Sequence, residues 1–235
     1  MKSRIDTPIF ITGAERSGST LIARILKLCE VHIGKTTNML ENIKITDLLK
    51  NTYGDLGLDL VGNLVGFNIR SDWQNEIESV LIKEGYAGLN DWMYKSSLLC
   101  KTWPVWNYAY PNAKWVIVRR NKDDIVQSCL KTAYMYKFKS SRNLKVLNLT
   151  TESAGWDYWV DQHNKLFVTM MENGLNCRII WPERMVYGDY EQIYELIEWL
   201  GLAWSNNIYS EIDPLLWHTR NKEKKGVLYG TDITK

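Results

Sequence analysis

The chain has 235 residues, 45% of them hydrophobic, and no Pro/Gly/Ser-rich stretch that reads as a linker, so one domain over 1–235 with a single sizeable core is expected. With 29 basic against 27 acidic residues the net charge is +2, which argues against nucleic acid or an anionic membrane as a partner and leaves any basic patch to be local. Four cysteines without a C-x-x-C pair, no secretory leader pattern and no run near ~18 apolar residues point to a cytoplasmic protein without membrane spans, whose reduced thiols serve as small core hydrophobes.

In chain order, "PIFITG" (8–13) is a short β-branched run that reads as a strand, and "TLIARILKLC" (20–29) follows with Leu21, Ile22, Ile25 and Leu28 on one helical face. "DWQNEIESVLIKEG" (72–85) is amphipathic at helical spacing and stops at glycine. "SSLLCK", ending at Lys101, and "KWVIV" (114–118) read as buried strands; the second feeds "NKDDIVQSCLKT", where Asp123 and Asp124 suit a helix's first turn. "KTAYMYKFKSSRNLK" (131–145) has no clean period and reads as an exposed loop or lid. "GWDYWVDQHNKLFVTMMENG" (155–174) and "YEQIYELIEWLG" (190–201) read as helices, with "CRIIW" (177–181) as a fourth strand between them. Short strands alternating with helices predict an α/β three-layer sandwich with a mostly parallel sheet and its ligand at the strands' C-terminal ends; the glycine-rich turn between the first strand and helix makes the expected fold one of the P-loop nucleotide-binding type. Most of the eleven tryptophans are expected in the core, but Trp103, Trp106, Tyr108 and Tyr110 are candidates to line an acceptor pocket or stack on a base.

Between the first strand and helix, "ITGAERSGST" nearly spells a phosphate loop. Gly13, Gly18 and Thr20 fit G-x-x-x-x-G-K-[ST], but Ser19 stands in the lysine slot. Backbone N–H groups and the helix's positive end still suit an anion, while the grip on a γ-phosphate and its Mg²⁺ is weakened. Arg16 puts a guanidinium inside the loop. Far along the chain, "VIVRRNKDDIVQS" ends a strand in Arg119 and Arg120 and places Ser128 two helical turns later, so that one arginine and one hydroxyl can converge on a second phosphate.

These two segments resemble the cofactor motifs of the sulfotransferases that use 3′-phosphoadenosine 5′-phosphosulfate (PAPS). "GAERSGSTL" is similar to the family's 5′-phosphosulfate loop and "RNKDDIVQS" to its 3′-phosphate motif, with Lys122 in a proline slot; "CKTWPVWNYAYPNAKWVIVRR" and "WPERMVYGDYEQIYELIEWLGL" resemble segments expected in the same order. The resemblance implies PAPS as co-substrate, PAP as product and no metal. It implies that Ser17, Gly18, Ser19 and Thr20 hold the 5′-phosphosulfate, that Arg120 and Ser128 hold the 3′-phosphate, and that Arg16 and Lys101 stand near the transferring group. It leaves the general base open. The family's loop glutamate aligns with Lys35 or Thr36, and its alternative histidine with Trp103, so His32 and Glu41 become the candidate replacements. The basic tail "RNKEKKG" (220–226) weakly resembles a segment that closes over the 3′-phosphate.

The implied function is transfer of a sulfuryl group to a hydroxyl or amine on a small-molecule, glycan or peptide acceptor, with acceptor and oligomeric state left open. A P-loop kinase of a small metabolite is the enzymatic alternative; it is disfavoured because the lysine is missing and no apolar run ends in an aspartate suited to magnesium. A non-catalytic binder of nucleotides, or of RNA through 131–145, is the third reading.

Overall fold

Residues 4–53 and 69–212 are described by the computed structural model. Strands β1 (Ile9–Thr12), β2 (Met93–Lys95), β3 (Lys114–Val118) and β4 (Cys177–Ile180) form one sheet in the order β2-β1-β3-β4, with every pairing parallel. The helices of the described residues are α1 (Ser19–Leu28), α2 (Ile43–Tyr53), α3 (Trp73–Lys83), α4 (Trp103–Ala109), α5 (Lys122–Lys131), α6 (Ser141–Val146), α7 (Glu152–Glu172), α8 (Pro182–Val186), α9 (Glu191–Leu200) and α10 (Ile208–Glu211).

Successive strand residues point to opposite faces, and here both faces are buried. Phe10, Tyr94, Trp115 and Ile117 pack into one core with apolar residues of α2, α3, α4, α5 and α7. Their alternates Ile9, Ile11, Met93, Val116 and Val118 join the other core with α1, α8, α9 and α10. The outcome is the expected three-layer α/β sandwich, with the sheet wholly parallel. Phe10 sits at the centre of the first core, its ring 4.8–6.0 Å from those of Trp92, Trp106, Tyr110 and Trp115 at steep angles. Edge-to-face pairs of this kind contribute about 0.5–1.5 kcal/mol each beyond area burial.

Three expectations need correction. The strand assigned to 96–101 lies earlier, at Met93–Lys95, and the stretch that follows is a run of turns. Local bonds explain this: Ser96 Oγ accepts from Leu98 N–H at 3.2 Å and the Cys100 thiol donates to Ser97 O, so these side chains offer the backbone an alternative to the ladder. Trp106 and Tyr110 are fully buried members of the Phe10 cluster rather than pocket walls. The 131–145 segment is not a bare loop, because it contains α6 and buries Phe138 and Met135. The notch that admits Phe138 is Gly155 of α7, where a Cβ would stand 2.4 Å from the ring.

Lys122, in the slot that the resemblance gives to proline, reaches across from α5 to Asp157 and Asp161 of α7 at 2.9 Å each. The two aspartates stand one helical turn apart and so share a face.

Candidate functional site

The turn between β1 and α1 is built for close backbone approach. A side chain at Gly13 would bring a Cβ within 2.5 Å of Ser17 Oγ and 2.6 Å of Val118 O, so only glycine fits between the loop and β3. Arg16 (φ 68°) and Gly18 (φ 97°) both take left-handed conformations, and Gly18 caps α1 without any side-chain bond. The first N–H groups of α1 therefore open into this turn together with the helix's positive end. Ser17 is buried and its hydroxyl has no hydrogen-bond partner among the described residues; Ser19 and Thr20 begin the helix, and the Thr20 hydroxyl donates to Met39 O at 3.4 Å.

Because β1 and β3 are neighbours, the segments after them meet at the same end of the sheet. Arg120 Nη1 donates to Arg16 O (3.1 Å), and Arg16 Nε donates to Ser128 Oγ (3.0 Å). Arg16 Nη1 also donates to Tyr134 Oη at 2.8 Å, tying the loop to the 131–145 segment. Arg120 and Ser128 are both buried. Asn121 fixes this corner as the N-cap of α5, accepting from the N–H groups of Asp123 and Asp124. Burial pulls the Arg120 guanidinium below its ordinary pKa against the attraction of Glu183 and Asp124. Glu183, buried on α8 and accepting from Asn121 N–H at 3.1 Å, is pushed up to about 7 by the same desolvation.

Lys101 is buried, with its ammonium 4.2 Å from the centre of the Trp159 ring; Lys137, from the 131–145 segment, stands 3.4 Å from that same centre. The Trp159 indole N–H donates to Glu15 Oε2 at 2.6 Å, Ser97 Oγ donates to Glu15 Oε1 at 3.3 Å, and His163 Nε2 lies 3.9 Å from Glu15 Oε2.

The two candidate bases separate. Glu41 Oε1 accepts from Lys95 Nζ at 3.2 Å, and the same ammonium donates at 3.1 Å to Met39 O, the carbonyl that receives the Thr20 hydroxyl. Glu41 is therefore tied to the loop through Lys95 and Met39. His32 is bridged to Trp92, just before β2 begins, and packs on Tyr86 with ring centroids 5.1 Å apart. The ten residues of α1 separate it from the loop along the chain, a helix length of ~15 Å. Burial lowers its pKa against the pull of Glu84. Lys35, which with Thr36 is one of the two positions that the resemblance aligns with a loop glutamate, is exposed and donates its N–H to Glu84 Oε2 at 3.1 Å.

Sequence reading overlooked Glu15, Lys95, Tyr134, Lys137, Trp159 and His163. Two signals were available: a carboxylate inside an anion-binding loop, and His163 one turn after Trp159 on the apolar face of α7. The tail 220–226 lies outside the described residues.

A family model described as "Sulfotransferase family" matches residues 8–206. Among solved structures, the sulfotransferase domain of an olefin synthase from Synechococcus PCC 7002 superposes with a TM-score of 0.55 at 12% identity, over 92% of this chain and 89% of that one. Sulfotransferase STF9 from Mycobacterium avium superposes with a TM-score of 0.54 at 10% identity, over 92% and 69% of the respective chains. The sulfotransferase domain from the curacin biosynthetic pathway gives 0.54 at 14% identity, over 88% and 78%. At such identities the likeness shows a shared fold. No curated protein matches the chain in sequence.

Proposed function

The chain belongs to the sulfotransferase family, and from that membership we propose that it transfers the sulfuryl group of PAPS to a hydroxyl or amine. The observation that carries the donor assignment is the direct junction of the two cofactor motifs, Arg120 to Arg16 O and Arg16 to Ser128 Oγ. A kinase loop would need its lysine and a metal ligand. Here two arginines and a serine converge instead, a donor set suited to two separate anionic groups on one nucleotide.

The residues present suit that ligand. The Gly13 cradle, the left-handed turn at Arg16 and Gly18, and the buried Ser17 hydroxyl, without a hydrogen-bond partner among the described residues, support the reading of this turn as an anion site. The Ser17 hydroxyl, the N–H groups of Gly18 to Thr20 and the Ser19 and Thr20 hydroxyls would hold the phosphosulfate, the Ser17 N–H being donated to Ala14 O at 3.1 Å; Arg120 and Ser128 would hold the 3′-phosphate. The donor supplies an activated sulfuryl group on a good leaving group. Arg16 and Lys101 supply fixed positive charge for the oxygen that gains charge as the S–O bond breaks. Glu41, brought toward the loop through Lys95, is the better placed of the two candidate bases to take the acceptor's proton. The acceptor class stays open among small molecules, glycans and peptides.

The test is calorimetry and thermal unfolding with adenosine 3′,5′-bisphosphate (PAP), followed by transfer from labelled PAPS to a panel of phenols, alcohols, sugars and amines. PAP at a hundred times its Kd is expected to stabilise the folded chain by about 2.7 kcal/mol, while ATP with Mg²⁺ has no comparable effect. Stabilisation by ATP·Mg²⁺ alone rejects the donor assignment.

Arg120→Ala is expected to weaken PAP by roughly 1.5–3 kcal/mol, the scale of hydrogen bonds to charged groups, and to leave adenosine 5′-phosphosulfate almost unaffected. Equal losses for both ligands place Arg120 away from the 3′-phosphate.

A further inference from the structure

A carboxylate inside an anion-binding loop opposes the ligand the loop would take. Glu15 is such a group, and its surroundings are specific. It accepts from Trp159 Nε1 and Ser97 Oγ and faces His163 Nε2 at 3.9 Å. His163 is fully buried on α7. Its Nδ1 lies 2.8 Å from Trp159 O, and a carbonyl only accepts, so Nδ1 carries a proton. In the neutral ring Nε2 then presents a lone pair to the Glu15 carboxylate, and that nitrogen has no hydrogen-bond partner among the described residues. Two acceptors facing each other, the imidazole fully buried and the carboxylate partly buried, invite one proton between them.

We propose that Glu15 and His163 form a proton-linked positioning pair in the donor site: binding of an anionic donor at the phosphate loop draws one proton onto the pair. The inference deepens the sulfotransferase reading and rests on it for the identity of the anion.

The charges around the pair define the coupling. From α7 come His163 and Trp159; from the turns before α4, Ser97, Cys100 and Lys101; from the 131–145 segment, Lys137; from α5, Cys129; from the loop itself, Arg16. Burial pushes the Glu15 carboxyl up, but His163, Lys137 and the Trp159 N–H together hold it below its ordinary value. Burial pulls His163 down, aided by Lys101 and Lys137 and opposed by Glu15 and the Trp159 carbonyl. The Cys100 and Cys129 thiols, pushed up to about 12 by burial, stay neutral and do not compete for the proton. Lys101 and Lys137 both stand against Trp159, whose N–H holds the carboxylate. An incoming anion attracts the Lys137 ammonium and adds negative charge of its own. Both effects raise the proton affinity of the pair. Donor binding therefore takes up a proton and tightens as pH falls.

The full chain has three histidines, so their ring signals can be followed individually by NMR. Without ligand, Glu15→Gln is expected to lower the His163 pKa by about one unit, because an opposite charge is lost. With PAP, the wild-type His163 signal is expected to titrate at higher pH than in the free protein. Calorimetry at pH 8 in buffers of different ionisation enthalpy should register proton uptake in the wild type, its loss in Glu15→Gln and its return in Glu15→Asp. The PAP Kd should tighten by up to about tenfold per pH unit for each proton taken up. Glu15→Gln, with one fewer negative charge at the loop, should bind PAP more tightly than the wild type at that pH. A His163 titration identical in wild type and Glu15→Gln overturns the pair, as does PAP binding with the same proton count in both. If PAP fails to bind, the donor assignment falls, and inorganic sulfate is titrated against the same His163 signal; an unmoved signal then overturns the inference as well.

Discussion

Lys101→Ala is expected to lower kcat and kcat/KM together by about 10²–10³-fold, the ~3–4 kcal/mol lost when one preorganised charge or donor is removed from a transition state. The ground-state anion is already served by the N–H groups at the start of α1 and by Arg16, Arg120 and Ser128. Lys101 is set apart by its contact with an aromatic face, since Arg120 and Ser128 are buried as well. It is buried on the turn before α4, with its ammonium held 4.2 Å from the centre of the Trp159 ring. A compact charge kept out of bulk water acts most strongly on charge that grows during the reaction. PAP affinity should accordingly change little. Single-turnover transfer from PAPS, on whichever acceptor reacts, together with PAP calorimetry, separates the two quantities. Wild-type kcat in Lys101→Ala, or a loss confined to KM, would remove Lys101 from the chemistry.

Phe138→Ala is expected to destabilise the chain by about 3–5 kcal/mol, a large share of the 5–15 kcal/mol by which domains of this kind are stable. The ring is fully buried, 4.8 Å from Trp156 and 6.0 Å from Trp159 between centroids, in the notch that Gly155 leaves in α7. It is also the anchor of the segment that carries Tyr134, which bonds Arg16, and Lys137, which covers Trp159. The loss should therefore reach the site, weakening PAP and opening the segment to protease between about residues 132 and 140, as a locally unfolding element would. Gly155→Ala is the complementary change. It keeps the phenyl ring but puts a methyl group 2.4 Å from its present position, so Phe138 must shift and the segment loosens in the same direction. Urea unfolding midpoints of both variants check this. A cost under about 1 kcal/mol for Phe138→Ala would mean that the segment is not held by its ring.

The chain's own residues carried the architecture because the governing signals are local. Short β-branched runs, the 3.6-residue apolar period of α1, α3, α7 and α9, and a glycine-bearing turn at 13–18 each report on a few neighbouring positions. The two anion-binding motifs were legible for the same reason, since each is a contiguous run of residue types with a fixed chemistry. Where local signals conflicted, reading failed. "SSLLCK" is apolar enough for a strand, but serine bonds to nearby backbone turned it aside, and the strand moved to Met93–Lys95.

Only the tertiary structure decided which distant side chains meet. The adjacency of β1 and β3 brought Arg120 to Arg16 across a separation of 104 residues. The packing of α7 against α5 and the 131–145 segment delivered Trp159 and His163 to Glu15, contacts spanning more than a hundred residues that no period or motif encodes. It also parted Glu41 from His32, which lie close together in sequence. The ten residues of α1 carry the chain away from the loop to His32, and the following segment returns Met39 and Glu41 to Lys95. Charge, burial and proton affinity at the site follow from these through-space arrangements, because electrostatic energy depends on distance and solvent access rather than on order along the chain.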